Sequence, residues 1–324
     1  MPENVRPDKK QIHHPHDKGY KQLLSNKKTF LELIRTFVRE DWVSDINEND
    51  LILVDKSYIL QDFSEKEADI VYRLKTREGD VIFYVLLELQ STVDYPMPFR
   101  LLLYQAEIWR DIYNNTPKDE RERRDFRLPV IIPAVLYNGA NIWTARLDFK
   151  EILAGYRKFE KHTLNFRYIL FDVNRYSEED LYKTANLVSG IFVLDQTMGH
   201  RELMKRLRKL IDVLKRLTPE EFQQIMTWLK NVIKPKMPEH LQKEVDRILD
   251  ESNPMEVEIM IMNLEITLDE MQRQAEARGI DKGEMKAKME TAKAAMLEGF
   301  EVDVVAKITG LTKETILKLK NELN

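Results

Sequence analysis

The sequence contains no cysteine, and no apolar run approaches the roughly 20 residues that a helix needs to span a bilayer. The missing cysteines exclude disulfides and cysteine-based zinc or redox sites. The polar amino-terminal residues also lack the apolar segment of a secretory signal peptide. We therefore expect a cytoplasmic protein without a membrane partner.

A large excess of charge of one sign is also absent, because the formal net charge is −4 and the pI is near 6.0. This balance argues against a protein that coats nucleic acid by bulk electrostatics, so any such contact would depend on local patches or on a bound metal. The 324 residues are 43% hydrophobic and 33% charged, which is typical of a globular protein with room for about two domains.

The most informative pattern is a predicted β-hairpin around Glu78-Gly79. Two segments rich in β-branched, aromatic and leucine residues flank this short glycine-containing break. With Glu78-Gly79 as a two-residue loop, Asp69 lies directly opposite Glu88, with Cβ atoms about 5 Å apart. Gln90 shares the same face, because side chains in a strand alternate with a period of two.

Two facing carboxylates predict a metal site at this hairpin. Such carboxylates repel and raise each other's pKa unless a cation lies between them, and Asp and Glu oxygens suit Mg²⁺ or Mn²⁺. The alternative is that both lie on a solvated sheet face. Residues 81–87 are apolar at odd and even positions alike, which is typical of a strand covered on both sides. Because a buried charge must be paired or bind metal, this pattern favours the metal site.

The rest of the chain predicts an α/β domain followed by helices. We expect a disordered tail at 1–15, an α/β domain at 16–176, a helical region at 177–250 and a helical carboxyl-terminal region at 251–324. Within the α/β domain, apolar spacing predicts helices at 17–38 and 99–113, a strand region formed by 51–54 and 57–60, and strands at 129–137 and 164–173.

Capping residues and turn signals predict where helices begin and end in residues 177–324. Ser177 resembles a helix N-cap, and Thr218 followed by Pro219 and Glu221 resembles a capping box. Residues 255–298 predict one long helix or a pair, with Gly279 and Gly283 as candidate interruptions. The end of the chain has the outline of a helix-turn-helix, for which DNA reading and simple packing or oligomerisation are both open.

The order helix, strand, hairpin with Asp and Glu, helix, strand is that of the PD-(D/E)XK, or restriction-endonuclease-like, core with a mixed sheet flanked by helices. More narrowly, the chain resembles the Rpn family of recombination-promoting nucleases, which are transposase-like proteins. The sequences that carry the resemblance are HD (16–17), YKQLLS (20–25), ADIVY (68–72), LELQS (87–91), RLLLY (100–104), PAVLYNG (133–139), MLEGF (296–300) and ITGL (308–311).

The resemblance implies a metal-dependent DNA endonuclease of low sequence specificity, linked to recombination, mobile elements or defence. Asp69 and Glu88 would hold Mg²⁺, for which Mn²⁺ may substitute, and would act with Gln90 in catalysis. In the wider superfamily a lysine stands two residues after the Glu. The neutral amide of Gln90 can orient water or ligate a metal, but it cannot stabilise anionic charge as an ammonium does.

Four further residues are implicated by the resemblance in DNA binding or in support of the site. Asp17 and Lys21 are four residues apart on one predicted helix face, where Lys21 would supply the missing positive charge; an exposed ion pair is the alternative. Arg100 and Tyr104 have the same spacing and would line a DNA cleft, or else form a packed tyrosine beside a solvated arginine.

Two other hypotheses remain open at this point. Gln90 favours a catalytically weak or inactive nuclease fold that acts as a DNA- or protein-binding module. Alternatively, the carboxyl-terminal helices set a homo-oligomer for which the sheet domain is a scaffold. A basic amphipathic segment at 201–216 predicts either a solvated helix face or, less simply, a surface that contacts phosphates.

Overall fold

The computed structural model describes residues 15–54, 70–76, 79–88, 93–196, 200–234 and 239–323. The chain divides into two compact units, Met1–Met262 and Asn263–Asn324. Residues 1–14 of the predicted tail and the predicted strand segment 57–60 lie outside the described residues. Across the described part of the chain, no helix combines the length and the hydropathy needed to cross a membrane.

The first unit is built on a five-stranded mixed sheet in the order β1-β2-β3-β4-β5. The strands are β1 (Leu51–Val54), β2 (Ile70–Thr76), β3 (Gly79–Glu88), β4 (Val130–Tyr137) and β5 (Ile169–Asp172). The first three strands pair antiparallel, whereas β4 runs parallel to both β3 and β5. The predicted α/β class, with a mixed sheet flanked by helices and a helical carboxyl-terminal region, is confirmed.

In chain order, the helices of the first unit precede β1, lie between β3 and β4, or follow β5. They are α1 (Pro15–Leu24), α2 (Lys27–Phe37), α3 (Met97–Asn115), α4 (Lys118–Arg121), α5 (Glu178–Thr184), α6 (Leu187–Asp195), α7 (His200–Lys209), α8 (Ile211–Arg216), α9 (Pro219–Ile233) and α10 (Glu239–Glu251). The predicted single helix at 17–38 is two helices, because Asn26 caps α2 by accepting a hydrogen bond from the Thr29 amide at 3.2 Å.

Helices cover both faces of the sheet, as the two-sided apolar pattern of β3 predicts. On one face Phe30 of α2 stacks on Tyr72 with ring centroids 4.2 Å apart and meets Phe83 edge-on at 5.6 Å. On the other face Tyr104 of α3 stacks on Tyr84 at 5.2 Å. Adjacent residues of β3 are therefore buried against different helices. This explains why residues 81–85 are all apolar and do not alternate between apolar and polar.

Two of the first-unit helices after residue 177, α6 and α9, pack onto α2 and α1. Both predicted caps are confirmed: Ser177 accepts from the Asp180 amide, and Thr218 and Glu221 form a reciprocal capping box. Helix α6 is buried at every position and contacts α2, while α9 contacts α1. Glu32 of α2 accepts a 2.7 Å hydrogen bond from the Val188 amide, which satisfies a free donor at the start of α6.

The basic segment at 201–216 lies in α7 and α8, and its buried Arg206 has a structural role. Arg206 donates to Val193 O at 2.8 Å and to Gln196 Oε1 at 2.7 Å, and it pairs with Glu178 at 2.6 Å. Lys215 likewise pairs with Glu258 at 2.7 Å. Carboxylates therefore neutralise part of the predicted basic face, which supports the structural alternative for these two residues.

The second unit contains most of one long helix and two short ones. These are α11 (Val257–Leu297), which begins in the first unit, α12 (Val302–Thr309) and α13 (Lys313–Leu323). Helix α11 continues through Gly279 and Gly283, so neither glycine interrupts it. Gly310, with φ of +69°, makes the turn of the predicted helix-turn-helix outline. A small core joins the three helices and consists of Ala292, Val305, Leu311, Ile316 and Leu319.

Candidate functional site

The candidate site lies where the three parallel strands end together. Glu88, the last residue of β3, pairs in register with Tyr137 of β4, which pairs with Asp172 of β5. Open α/β sheets bind ligands outside the carboxyl ends of their parallel strands. This edge therefore brings the predicted Glu88 position next to the PAVLYNG sequence that ends β4.

The structure describes only part of the predicted catalytic set. The backbone of Glu88 is placed as above, whereas Asp69 and Gln90 lie outside the described residues. Among the described residues, no group of three or more His, Cys, Asp or Glu side chains is arranged to hold a metal ion. The metal ligands Asp69 and Glu88 and the role of Gln90 therefore stay predictions.

The predicted hairpin forms, but its predicted register is wrong by two positions. Ile70 pairs with Val85 and Thr76 pairs with Gly79, so Gly79 belongs to the strand and not to the loop. Its φ of +136° is open only to glycine, and its carbonyl accepts a 2.5 Å hydrogen bond from the Thr76 hydroxyl. The prediction that Asp69 lies directly opposite Glu88 depended on a loop at Glu78-Gly79, which is not the observed register. A shift of two positions leaves the assignment of sheet faces unchanged, because side chains alternate with a period of two.

Helix α1 carries Asp17 and Lys21 and contacts β3, the strand that ends at Glu88. The Lys21 side chain is exposed, as a residue that meets phosphates would need to be. The backbone of Asp17 lies in the first turns of the helix, and its predicted interaction with Lys21 stays a prediction.

Arg100 and Tyr104 occupy different environments on α3. The Arg100 guanidinium pairs with Asp94 and is about a quarter exposed. Tyr104 is only 6% exposed and stacks on Tyr84, so of the two alternatives for this residue the structure shows the packed tyrosine. Tyr104 can therefore fix the position of α3 beneath Arg100, but its ring does not line an open cleft.

A buried hydrogen-bond network, which the sequence does not predict, lies at the same edge. Asp195, at the end of α6, accepts at Oδ2 from the Tyr20 hydroxyl at 2.7 Å and from Asn138 Nδ2 at 3.1 Å. Burial raises the pKa of Tyr20 well above its usual value, and the Asp195 carboxylate raises it further. The hydroxyl therefore stays protonated as a donor. A charged residue directly after the apolar helix 187–194 is the sequence signal that points to such a partner.

The loop after β4 is held by further contacts from the segment after β5. Asn174 Nδ2 donates to Asn138 O at 2.5 Å and to Gly139 O at 3.1 Å, and Arg175 donates to Ala140 O at 2.8 Å. Tyr137 donates its hydroxyl proton to Asn141 O at 3.0 Å, which closes the loop on itself. The backbone at the end of β4 is thus rigidly positioned beside Glu88.

Asp172 is a second acidic residue that the sequence does not single out. It is 9% exposed, and its Oδ1 has no hydrogen-bond partner. Burial raises the pKa of this carboxyl above its usual value, and the nearby Arg175, with Nε 4.0 Å from Oδ2, partly opposes the rise. Strand β4 lies between β3 and β5, and its Tyr137 pairs with both Glu88 and Asp172. Asp172 is therefore not a direct neighbour of Glu88.

Sequence comparison with known proteins identifies a family for this chain. The family described as "Putative transposase, YhgA-like" matches residues 14–226, which is more than half of the chain. No solved structure gives a significant match. The family match spans the whole sheet and continues into the first half of α9.

Three curated relatives from Escherichia coli illustrate the range of the similarity. The recombination-promoting nuclease RpnD of strain O157:H7 is 29% identical over 126 residues, which are 39% of this chain and 46% of RpnD. The recombination-promoting nuclease RpnA of strain K12 is 26% identical over 131 residues, 40% of this chain and 42% of RpnA. The inactive recombination-promoting nuclease-like protein RpnE of strain K12 is 18% identical over 309 residues, 93% of this chain and 96% of RpnE.

The matched segments span less than half the length of RpnD and RpnA, whereas RpnE aligns almost end to end. The relatives thus include proteins named as nucleases and one named as inactive. The family match over more than half of the chain shows that it belongs to the YhgA-like transposase family, and the curated matches make it a relative of the recombination-promoting nucleases.

Proposed function

We propose that the protein is a metal-dependent DNA endonuclease of low sequence specificity that acts in recombination, mobile-element traffic or defence. The observation that carries the proposal is the position of Glu88, which ends the buried strand β3 at the carboxyl edge of the parallel strands, within a family whose relatives are named nucleases. Support for the DNA substrate comes from those names and from the motifs around Lys21, Glu88 and Arg100.

Asp69 and Glu88 are the proposed ligands of Mg²⁺ or Mn²⁺. The donor set fits, because carboxylate oxygens are the ligands that these cations prefer. Strand β2 begins and β3 ends at the same edge of the sheet, since Ile70 pairs with Val85. A metal ion held by these carboxylates would supply Lewis-acid polarisation of a phosphate and would lower the pKa of a water. The Gln90 amide would orient a water beside these ligands.

The surrounding residues are proposed to bind and position the DNA backbone. Lys21 offers an exposed ammonium on α1, close in the fold to β3. Arg100 is held by Asp94 and so presents its guanidinium in a restricted orientation. Tyr104 keeps α3 against the sheet, and Asp17 precedes Lys21 by one helical turn. Each of these residues binds or orients; none replaces the metal ligands.

A second candidate function is a DNA- or protein-binding module without cleavage. Gln90 stands where the wider superfamily has lysine, so position 90 carries no ammonium. The inactive relative RpnE is also one that aligns over nearly the whole chain. Both observations favour a fold that has kept its binding surface while losing cleavage.

Nicking of supercoiled plasmid tests the two candidates directly. Wild type, Asp69→Ala and Glu88→Ala are compared in Mg²⁺, Mn²⁺ and EDTA, with Glu122→Ala as a control at an exposed carboxylate just after α4. Cleavage that needs metal, persists in Glu122→Ala and disappears in both site variants supports the endonuclease. Absence of cleavage by folded wild type with every metal, together with DNA binding, would support the binding module.

We also propose that the carboxyl-terminal helices join copies of the chain into a homo-oligomer. Val304 and Ile308 lie one turn apart on α12 and are both exposed, which leaves an apolar stripe on this unit. Light scattering of the full chain measures the assembly. Ile308→Lys should reduce the mass to that of a smaller species, and an unchanged mass would count against this surface.

A further inference from the structure

The segment between β4 and β5 carries an exposed ring among cations, which we call the basic–aromatic loop (residues 153–164). Phe159 is 55% exposed, and its neighbours in the loop include Arg157, Lys158 and Lys161, which are all exposed. An exposed ring keeps a face available for stacking, and local contacts hold this ring outward.

The basic–aromatic loop is anchored at its base. The Phe149 amide donates to Phe166 O at 2.9 Å, and the Tyr168 amide donates to Leu147 O at 3.3 Å. The rings of Phe149 and Phe166 stack with centroids 5.4 Å apart. Because Leu147 and Phe166 also pack against the core on the α3 face of the sheet, the base of the loop is part of the folded domain.

The tip of the loop is fixed by its own hydrogen bonds. The Lys158 amide donates to Gly155 O at 3.0 Å, and Phe159 O accepts from the His162 amide at 2.8 Å and from the Thr163 hydroxyl at 2.9 Å. Gly155, with φ of +75°, turns the chain, and a Cβ built on it would lie 3.7 Å from the Phe159 ring. The ring therefore rests against the glycine backbone and remains exposed to solvent.

Cations outnumber carboxylates around the ring, where Glu151 interacts electrostatically with Arg157. Glu160, the acidic residue of the tip, pairs with Lys150 at 3.2 Å. Within the described part of the chain, Arg157, Lys158 and Lys161 form no ion pair with a carboxylate. The Lys158 ammonium lies 5.5 Å from the Phe159 ring centroid, and the Arg157 guanidinium carbon lies 5.8 Å from that of Tyr156. Rings and cations thus form one surface.

We propose that the basic–aromatic loop binds single-stranded DNA, with a base stacked on Phe159 and the phosphates bound by Arg157, Lys158 and Lys161. Sequence-tolerant single-strand binding combines these two elements: aromatic rings for the bases and cations for the backbone. A duplex keeps its bases stacked inside, so it offers phosphates to the loop but no base to the ring. The partner is therefore an unpaired strand.

This inference rests on the proposed function in taking DNA as the partner, and it adds the form of the DNA. The loop rejoins the sheet at the amino end of β5, whereas Glu88, Tyr137 and Asp172 lie at the carboxyl ends of the strands. The loop is thus a separate surface from the proposed catalytic edge. Binding at one and cleavage at the other can be measured independently.

Fluorescence anisotropy of the full chain with a labelled oligo-dT of about 20 nucleotides, long enough for typical single-strand sites, tests the proposal in EDTA. A duplex of the same length is measured in parallel. Phe159→Ala should weaken single-strand binding about tenfold and leave duplex binding within about twofold, because one base-stacking contact is lost. Phe159→Leu, which keeps apolar area without a ring, should behave like Phe159→Ala.

The cations are tested through the salt dependence. Replacing Arg157, Lys158 and Lys161 with Gln should lower the slope of log affinity against log salt by about 2 for the single strand. Two controls match these changes: Phe300→Ala removes an equally exposed ring, at 53%, and a triple Gln variant at Lys118, Arg124 and Lys183 removes three exposed charges elsewhere. Both controls should bind as wild type does.

The proposal would be overturned if Phe159→Ala bound the single strand as tightly as Phe300→Ala does. It would be overturned equally if Phe159→Ala lost the same affinity for the single strand and for the duplex. Loop-dependent binding to phosphatidylserine vesicles without single-strand binding would also overturn it and assign the surface to membranes. Plasmid cleavage in Mg²⁺ is scored separately. Single-strand binding without plasmid cleavage would support the loop proposal and contradict the endonuclease proposal. Plasmid cleavage together with wild-type single-strand binding by Phe159→Ala would support the endonuclease and contradict the loop proposal.

Discussion

The hydroxyl of Tyr20 donates a 2.7 Å hydrogen bond to the carboxylate of Asp195, a residue 175 positions later in the chain. This bond ties α1, which carries Lys21, to the end of the buried helix α6. Asn138 donates to the same carboxylate oxygen from the loop after β4. The helix that offers a cation and the strand edge that carries Glu88 are therefore positioned by one shared buried group.

Tyr20→Phe should destabilise the protein by about 1–3 kcal/mol, because a buried carboxylate loses one of its hydrogen bonds while it keeps its desolvation penalty. The free energy of unfolding from chemical denaturation measures the change. Tyr95→Phe is the control, since that ring is exposed and its hydroxyl makes only a 3.4 Å contact with Thr144. Equal stabilities of the two variants would show that the Tyr20 bond contributes nothing.

Two glycines should respond to alanine in opposite directions. A Cβ on Gly139 would lie 2.1 Å from the hydroxyl oxygen of Tyr137, whose ring is fully buried, so Gly139→Ala must displace that ring. We expect a loss of about 1–3 kcal/mol from overpacking. Gly283 lies inside α11 with nothing within 4 Å of a Cβ, so Gly283→Ala should gain up to about 1 kcal/mol from helix propensity.

Thermal unfolding followed by far-ultraviolet circular dichroism measures both alanine variants against wild type. Gly139→Ala should unfold at a lower temperature and Gly283→Ala at the same or a higher one. If Gly139→Ala unfolded at the wild-type temperature, the close approach of the loop to Tyr137 would be refuted.

The hairpin and its neighbours illustrate what the sequence can predict. Alternation and composition predict β2, β3 and the two-sided burial of β3, because these depend on local period and hydrophobicity. The register escaped prediction, since Gly79 adopts a φ of +136° within the strand and not in the loop. Helix α1 ends at Leu24 and Asn26 caps α2, whereas the apolar spacing alone continues across this break.

The candidate site was predictable only where its residues carry a local motif. Glu88 and Lys21 belong to short sequences that the Rpn resemblance identifies, and the structure brings their backbones to neighbouring elements. The network of Tyr20, Asn138 and Asp195 joins residues far apart in the chain, and only tertiary packing determines such contacts. The burial of Tyr104 likewise depends on Tyr84 across the sheet and not on its own helix.

Asp172→Asn should change how stability depends on pH. Burial raises the pKa of Asp172 in the folded state above its usual value of 3.8, so the folded protein binds a proton more tightly than the unfolded chain does. Wild-type stability contributed by this group is therefore present below pH 3.8 and is lost as pH rises through the folded-state pKa. Asparagine does not titrate, so the variant lacks this loss.

Chemical denaturation of wild type and Asp172→Asn at a series of pH values from about 4 to 7 measures this linkage. The difference in unfolding free energy should move in favour of the variant as pH rises, and then become constant. Asp148→Asn serves as the control, because that carboxylate pairs with the exposed Arg167 at 2.5 Å. A difference that moves in the opposite direction would mean that Arg175 outweighs burial at Asp172.

Lys21 and Gln90 should compensate for each other in DNA cleavage. If the exposed Lys21 ammonium supplies the charge that the superfamily lysine would supply at position 90, Lys21→Gln should slow plasmid nicking about 100-fold, the scale of losing one electrostatic donor in an active site. Gln90→Lys should then restore much of the rate in the Lys21→Gln background. Lys27→Gln, at an exposed lysine that begins α2, should cleave as wild type does. Equal rates for Lys21→Gln and Lys27→Gln would remove Lys21 from the site, and failure of Gln90→Lys to restore cleavage would separate the roles of the two positions.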